Sequence, residues 1–182
     1  MRAGWLRTPE LDHVLAALTA DNRRVMETCL ATGLRVSDAL CLRTEAVRAA
    51  QDGRLTVVEL KTGKHRRIHL PRELQLRMLQ HAGRVWVYEG RLDWRKHRTR
   101  QAVNKDLARA AKAMRVKVHI SPHSTRKAWA VDEYHRTGSL TRVQRELCHS
   151  DPSITMLYAM ADVMEQRKHG GNVVLTPPPT GG

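Results

Sequence analysis

The chain has 182 residues, with 32 lysines and arginines against 18 acids and a formal charge of +14, and its isoelectric point lies near 10.7. That length suits one domain able to bury a core without staples, and the charge points to a polyanionic partner, nucleic acid before membrane. A run of about 18 apolar residues that could span a bilayer is missing, as is a compact apolar N-terminal signal stretch, and Cys29, Cys41 and Cys148 show no Cys-x-x-Cys spacing, so a soluble, intracellular protein with reduced thiols is expected.

In chain order, Thr8-Pro9-Glu10 opens a first helix with a capping residue, a proline at the first helical position and an early acid. Leu11, Val14, Leu15 and Leu18 form its buried stripe. A second helix runs from Asp21 through Leu30 with Val25, Met26, Cys29 and Leu30 inward, and Gly33 ends it in a left-handed cap. Leu34 to Leu42 reads as a short third helix. Arg54 to Lys61, the turn Thr62-Gly63-Lys64 and the alternating Arg67-Ile68-His69-Leu70 read as a β-hairpin. Pro71 opens another helix carrying Leu74, Leu76, Met78 and Leu79 inward, closed by Gly83. Tyr88 to Thr99 is turn-like. Helical periodicity returns from Arg100 to Met114, again from Pro122 to about Gly138, and from Ser139 through Leu147. Ser150 or Asp151 with Pro152 then starts a helix bearing Tyr158, and a proline- and glycine-rich tail begins at about residue 170. The tryptophans, Trp5, Trp86, Trp94 and Trp129, are expected to pack rather than to stack on bases, because the chain has no phenylalanine to supply core bulk.

Four runs carry chemistry. In Ala31-Thr32-Gly33-Leu34-Arg35-Val36-Ser37-Asp38, Arg35 follows a helix-ending glycine and an acid stands one turn on. On those residues alone, a surface ion pair between Arg35 and Asp38 is the commoner reading. Lys61 sits at the hairpin turn, where basic residues often only touch a phosphate backbone, as Lys64, Arg66 and Arg67 are expected to do. His123-Ser124-Thr125-Arg126 sets an imidazole and a guanidinium one helical turn apart. Leu147-Cys148-His149, continuing to Tyr158, puts a histidine and a tyrosine across the start of the last helix.

Taken in order, these runs resemble the catalytic domain of the tyrosine recombinase (phage integrase) family, over roughly residues 8 to 160. The resemblance implies an α+β, mainly α-helical fold with a small antiparallel hairpin at one edge. The expected division is a short lead (1–7), a catalytic domain (8–169) and a tail (170–182); the family usually carries a separate upstream core-binding domain, and its absence here is expected as a departure from that pattern. The resemblance assigns Arg35 and Arg126 to the non-bridging oxygens of a scissile DNA phosphate, which a planar guanidinium matches bidentately. His149 adds a third donor, and Asp38 orients Arg35. Tyr158 is the nucleophile that forms a 3′-phosphotyrosyl link. A phenol of reference pKa about 10 is ionised only about one part in a thousand at pH 7. His123 is therefore implied as proton acceptor and Lys61 as the acid that protonates the leaving 5′ oxygen, each step contributing on the order of 10² to 10⁴ in rate.

No metal, cofactor or small-molecule substrate is implied. The implied partners are double-stranded DNA and further copies of the chain in a tetramer on DNA, in the cytoplasm of a bacterial host or with a phage or mobile element. Cys148 departs from the glycine the family most often has before the histidine. Two readings stand beside recombination: strand relaxation of the type IB topoisomerase kind, and a non-catalytic DNA-binding module of the same fold. A metal-dependent nuclease built on His119 and His123, or on His65 and His69, lacks an accompanying carboxylate cluster. In the tail, Val173, Val174 and Leu175 could dock on a neighbouring copy, as the corresponding segment does in the family, or belong to a disordered end.

Overall fold

The structure is a computed structural model and describes residues 8–117 and 120–147, with the backbone alone for residues 8–10. The elements run α1 (Thr8–Ala16), α2 (Ala20–Thr32), α3 (Val36–Leu40), α4 (Thr44–Ala49), β1 (Arg54–Val58), β2 (His65–His69), α5 (Arg72–Gln80), α6 (Arg100–Ala113), α7 (Pro122–Thr137) and α8 (Leu140–Glu146). This is the mainly helical α+β architecture expected, with one antiparallel hairpin in the register Arg54 to His69 through Val58 to His65. Trp5, Cys148, the helix expected after Asp151, and the tail with Val173, Val174 and Leu175 lie outside the described residues.

Apolar periodicity is converted into core wherever it was strong. Leu11, Val14, Leu15, Leu18, Val25, Met26 and Cys29 are all buried and belong to one cluster with Leu34, Leu40, Leu74, Met78, Val103 and Leu107. Helix α2 is the hub, packing on α1, α3, α6 and α7. Its N-terminus is held from another element. Asp106 on α6 accepts from the Thr19 amide at 2.9 Å, the Thr19 hydroxyl at 2.7 Å and Asn22 Nδ2 at 2.8 Å, satisfying a helix-start donor that no residue of α2 caps. Its C-terminus ends at Gly33, whose φ of 64° is the left-handed cap. A Cβ there would lie 2.6 Å from the Trp129 ring, so glycine also makes room for α7.

Four expectations change. Helix α4 has no counterpart in the periodicity reading, because six residues with two buried side chains, Thr44 and Val47, give too short a stripe to register. On α5 the inward residue is Gln75 rather than Leu76: Gln75 is 1% exposed and its Nε2 donates to the carbonyls of Val47 and Ala50, which end α4, whereas Leu76 is 51% exposed. The helix also stops at His81, before Gly83. Trp129 packs as expected, but Trp94 is exposed, with the Arg84 guanidinium 5.5 Å from its ring centre.

Candidate active site

Arg35, Lys61, His123 and Arg126 come from three separate segments, the last two from one helix, and line one cleft of about 680 Å³. The local sequence explains each placement. Gly33 stops α2 and Arg35 becomes the N-cap position of α3, in extended conformation, its side chain 17% exposed. Lys61 is exposed in the connection between β1 and β2, which the Glu59 amide closes by donating to the Lys64 carbonyl at 3.0 Å and the Gly63 amide by donating to the Glu59 carbonyl at 2.8 Å. Pro122 begins α7 behind a reciprocal cap between Ser121 and Ser124. That start sets His123 in the first turn at the cleft mouth and turns Arg126 inward, where it is 4% exposed.

The buried cations are fixed by oxygens at the carboxyl end of α2, where unpaired carbonyls and the helix dipole favour positive charge. Arg126 donates through Nη1 to the Gly33 carbonyl and through Nη2 to the Leu147 carbonyl at 2.6 Å. The second bond anchors the end of α8 to the cleft. Arg66 donates to the same Gly33 carbonyl at 3.0 Å and to the Thr32 carbonyl at 2.5 Å, and its guanidinium lies 5.5 Å from the centre of the Trp129 ring. Arg66 is therefore not one of the exposed phosphate-contacting residues: it is 4% exposed and committed to backbone oxygens. Lys64 and Arg67 are exposed, on the turn and the outer face of β2.

Two wholly buried acids stand behind the cations. Asp38 is 3.9 Å from Arg35 Nη1, beyond hydrogen-bond reach, and its Oδ1 accepts from the Leu60 amide at 3.0 Å instead. The acid that meets Arg35 closely is Glu59, with Oε2 at 2.6 Å from Nη1. Burial pushes the Asp38 carboxyl up, the Leu60 amide working against it and the Glu59 charge adding to the rise. Burial acts on Glu59 too, but bonds from Arg35 and Thr62 and the charges of Arg35 and Arg126 hold its carboxyl below the usual range. Arg126 is lowered to about 10, first by burial and then by Arg35 and Arg66, and so stays cationic at neutral pH. The His123 imidazole is also lowered, by partial burial on its cleft side and then by Arg126, Arg35, Lys127 and Lys61. A neutral imidazole can accept a proton.

The sequence reading left out three lining or supporting residues. Arg100 and Asn104, four apart on α6, share an exposed face that borders the cleft. Glu59 was readable by phase: Leu55 and Val57 are the more buried positions of β1, and Glu59 is the next position in that alternation. His149 and Tyr158 lie outside the described residues, as does His119; among the described residues, no group of three His, Cys, Asp or Glu stands together as a metal-holding cluster. No described helix is long and apolar enough to cross a membrane.

Comparison with known proteins bears on this cleft. A model of the phage integrase family matches residues 5–165. The chain is 30% identical over 156 residues to the integrase of Escherichia phage P2, covering 86% of this chain and 42% of that protein. Its fold is similar to the catalytic domain of bacteriophage HP1 integrase, with a TM-score of 0.64 at 18% identity over 93% of this chain and 96% of that one. It is likewise similar to a lambda integrase (residues 75–356) solved as a dimer bound to a COC′ core site, with a TM-score of 0.72 at 21% identity over 87% and 60%. The chain spans about half the length of the curated relatives it matches first.

Proposed function

The chain belongs to the phage integrase family of tyrosine recombinases and has the fold of their catalytic domain, and on that premise we propose that it cleaves and rejoins DNA strands through a 3′-phosphotyrosyl intermediate on Tyr158. The observation that carries the proposal is the convergence of Arg35, Lys61, His123 and Arg126 on one cleft. A phosphodiester seated there meets two guanidiniums for its non-bridging oxygens, which stabilise the charge that builds as phosphorus becomes five-coordinate. The Tyr158 oxygen bonds to phosphorus while its proton passes to His123, whose lowered pKa keeps it neutral and receptive. The bond from phosphorus to the 5′ oxygen breaks, and the Lys61 ammonium supplies the proton to that oxygen. His149 adds a donor to the phosphate. Rejoining is the reverse, with a 5′ hydroxyl attacking the tyrosyl ester, so the phosphodiester bond energy is conserved in the link.

Double-stranded DNA is the proposed partner, with a tetramer on paired sites as the working assembly and the cytoplasm as the compartment. The excess of positive charge supports a polyanionic partner, and the DNA-bound lambda integrase dimer is a similar fold engaged with such a partner. Exposed Lys64 and Arg67, on the hairpin that carries Lys61, are proposed contacts to the sugar-phosphate backbone.

The test is covalent capture. The protein is incubated in EDTA with nicked suicide duplexes from a randomised pool, and products are run under denaturing conditions. A detergent-stable protein-DNA adduct is expected, lost entirely in Tyr158→Phe. Undiminished cleavage by that variant, or cleavage that needs metal and leaves no adduct, would sink the proposal. Tight binding without any adduct would favour the non-catalytic module.

A further inference from the structure

Glu59 is absent from the reaction just described, yet it is wholly buried and is tied both to the hairpin turn and to the two arginines of the cleft. Its Oε2 lies 2.6 Å from Arg35 Nη1 and accepts from the Thr62 hydroxyl at 2.9 Å; its Oε1 is 3.9 Å from Arg126 Nη2. Through its backbone it closes the turn, bonding to the Lys64 carbonyl and the Gly63 amide. One residue therefore holds both ends of the Lys61-bearing loop and, with the same carboxylate, an arginine at the phosphate. The neighbouring amide, Leu60 N–H, is pinned by Asp38, so the loop is fixed just before Lys61 and, at Thr62 and Gly63, just after it.

We infer that Glu59 is a positioning residue that couples the hairpin lysine to the phosphate-binding arginine, setting where the Lys61 ammonium stands relative to the leaving oxygen. The inference rests on the strand-transfer reading above. The physical argument is one of leverage. Lys61 is on an exposed turn and has a long, flexible side chain, which would leave a proton donor poorly placed unless its backbone were anchored. An exposed lysine alone has no such anchor. The buried carboxylate supplies it, because an unpaired charge in that site would be costly and the loop cannot swing away without unpairing it. Arg35, in turn, is offered to solvent on only part of its surface, and its close acid partner belongs to the hairpin rather than to its own helix. Movement of the loop and movement of the arginine are thus one movement.

The distinguishing readout is the leaving group. In a duplex whose 5′-bridging oxygen is replaced by sulfur, attack on phosphorus expels a thiolate that departs without protonation, so a defect in proton delivery disappears while a defect in phosphate binding persists. Single-turnover cleavage is measured for the full chain and for Glu59→Gln, Glu59→Asp, Lys61→Ala and Arg35→Ala on oxygen and sulfur substrates, alongside thermal melting. For Glu59→Gln, the loss on the oxygen substrate is expected to be on the order of 10- to 100-fold, part of the span of a general-acid step, and to shrink severalfold on the sulfur substrate as it does for Lys61→Ala. Glu59→Asp, keeping the charge, restores part of the rate, and Arg35→Ala is slow on both substrates. Equal slowing of Glu59→Gln on both substrates overturns the coupling and leaves Glu59 as a partner of Arg35 alone; an unchanged rate on the oxygen substrate overturns it as well. If the unaltered chain forms no adduct with either substrate, it is the strand-transfer reading that fails.

Discussion

Arg66 and Arg126 converge from β2 and α7 on the carboxyl end of α2, each 4% exposed and bonded to backbone oxygens, while Arg67, next to Arg66 in sequence, stands in solvent with Lys64. The three guanidiniums are chemically identical, so their different work is set by where the fold puts them. Interior arginines answer helix-end carbonyls and buried acids; their energetic role is to fold the site and, on the proposed function, to hold fixed charge where a phosphate would sit. Lys64 and Arg67 are exposed instead, and on the proposed function they would act through counterion release along the DNA. Arg126 belongs to the first group by burial and to the cleft by position, since its guanidinium both ties Gly33 to Leu147 and borders the space where a phosphate would sit.

The comparison breaks first at Arg66. Arg66→Met keeps an apolar stem beside Trp129 but removes both bonds to the end of α2, leaving the Thr32 carbonyl short of a donor and the Gly33 carbonyl with Arg126 alone. About 2–4 kcal/mol of folding stability should be lost, from two charge-assisted hydrogen bonds, measured by chemical denaturation with the slope compared to exclude a change in the unfolded state. The salt dependence of DNA binding should stay as it was. If instead Arg66→Met folds normally and its binding loses salt dependence, the interior assignment is wrong.

The outer pair gives the converse. Lys64→Ala with Arg67→Ala should leave stability within about 0.5 kcal/mol, because neither side chain is buried. The slope of log binding constant against log salt should fall by about 1.8, two phosphates at about 0.9 each. A smaller change shows that one of the two does not reach the backbone. A loss of stability would place the outer face of β2 in a packed interface.

The alternation that separates Arg66 from Arg67 was present in the sequence and easy to overlook. Arg66, Ile68 and Leu70 fall in one phase and are all buried; reading Lys64, Arg66 and Arg67 as a single basic run discards the phase. Glu59 illustrates the same loss, continuing the inward phase of Leu55 and Val57 past the end of β1. The long amphipathic helices were legible because period and burial coincide over several turns, as in α2 and α6. Arg35, Lys61 and His123 were singled out by the order of their runs and the family they resemble, since each run alone was weak; that they share one cleft follows from a glycine stop, a hairpin turn and a proline start. What composition and period could not supply were partnerships between distant elements: Asp106 capping α2, Gln75 finishing α4, and Glu59 meeting Arg35 more closely than Asp38 does. Such pairings depend on which helix ends face each other, and no local pattern records that.

The smallest effect tests how far the interior charges reach outward, to His123 at the cleft mouth. Its imidazole is lowered by partial burial and then by Arg126, Arg35, Lys127 and Lys61, so the acid limb of the cleavage profile should lie below the ordinary histidine value of about pH 6.5. The sign follows from the proton: above its pKa His123 is neutral and can accept from Tyr158, and as pH falls through that value the base is progressively lost. The same depression makes the folded protein bind protons less readily than the unfolded chain, so this residue's contribution to stability is present above about pH 6.5 and diminishes as pH falls through the lowered value. Lys127→Gln removes one of the charges disfavouring the imidazolium and should move the limb upward by a fraction of a pH unit, with the plateau rate serving as the internal reference. A limb at or above pH 6.5 in the unaltered chain would mean that burial and the surrounding cations do not govern the base at the mouth of the cleft, and one that Lys127→Gln leaves in place would remove Lys127 from that field.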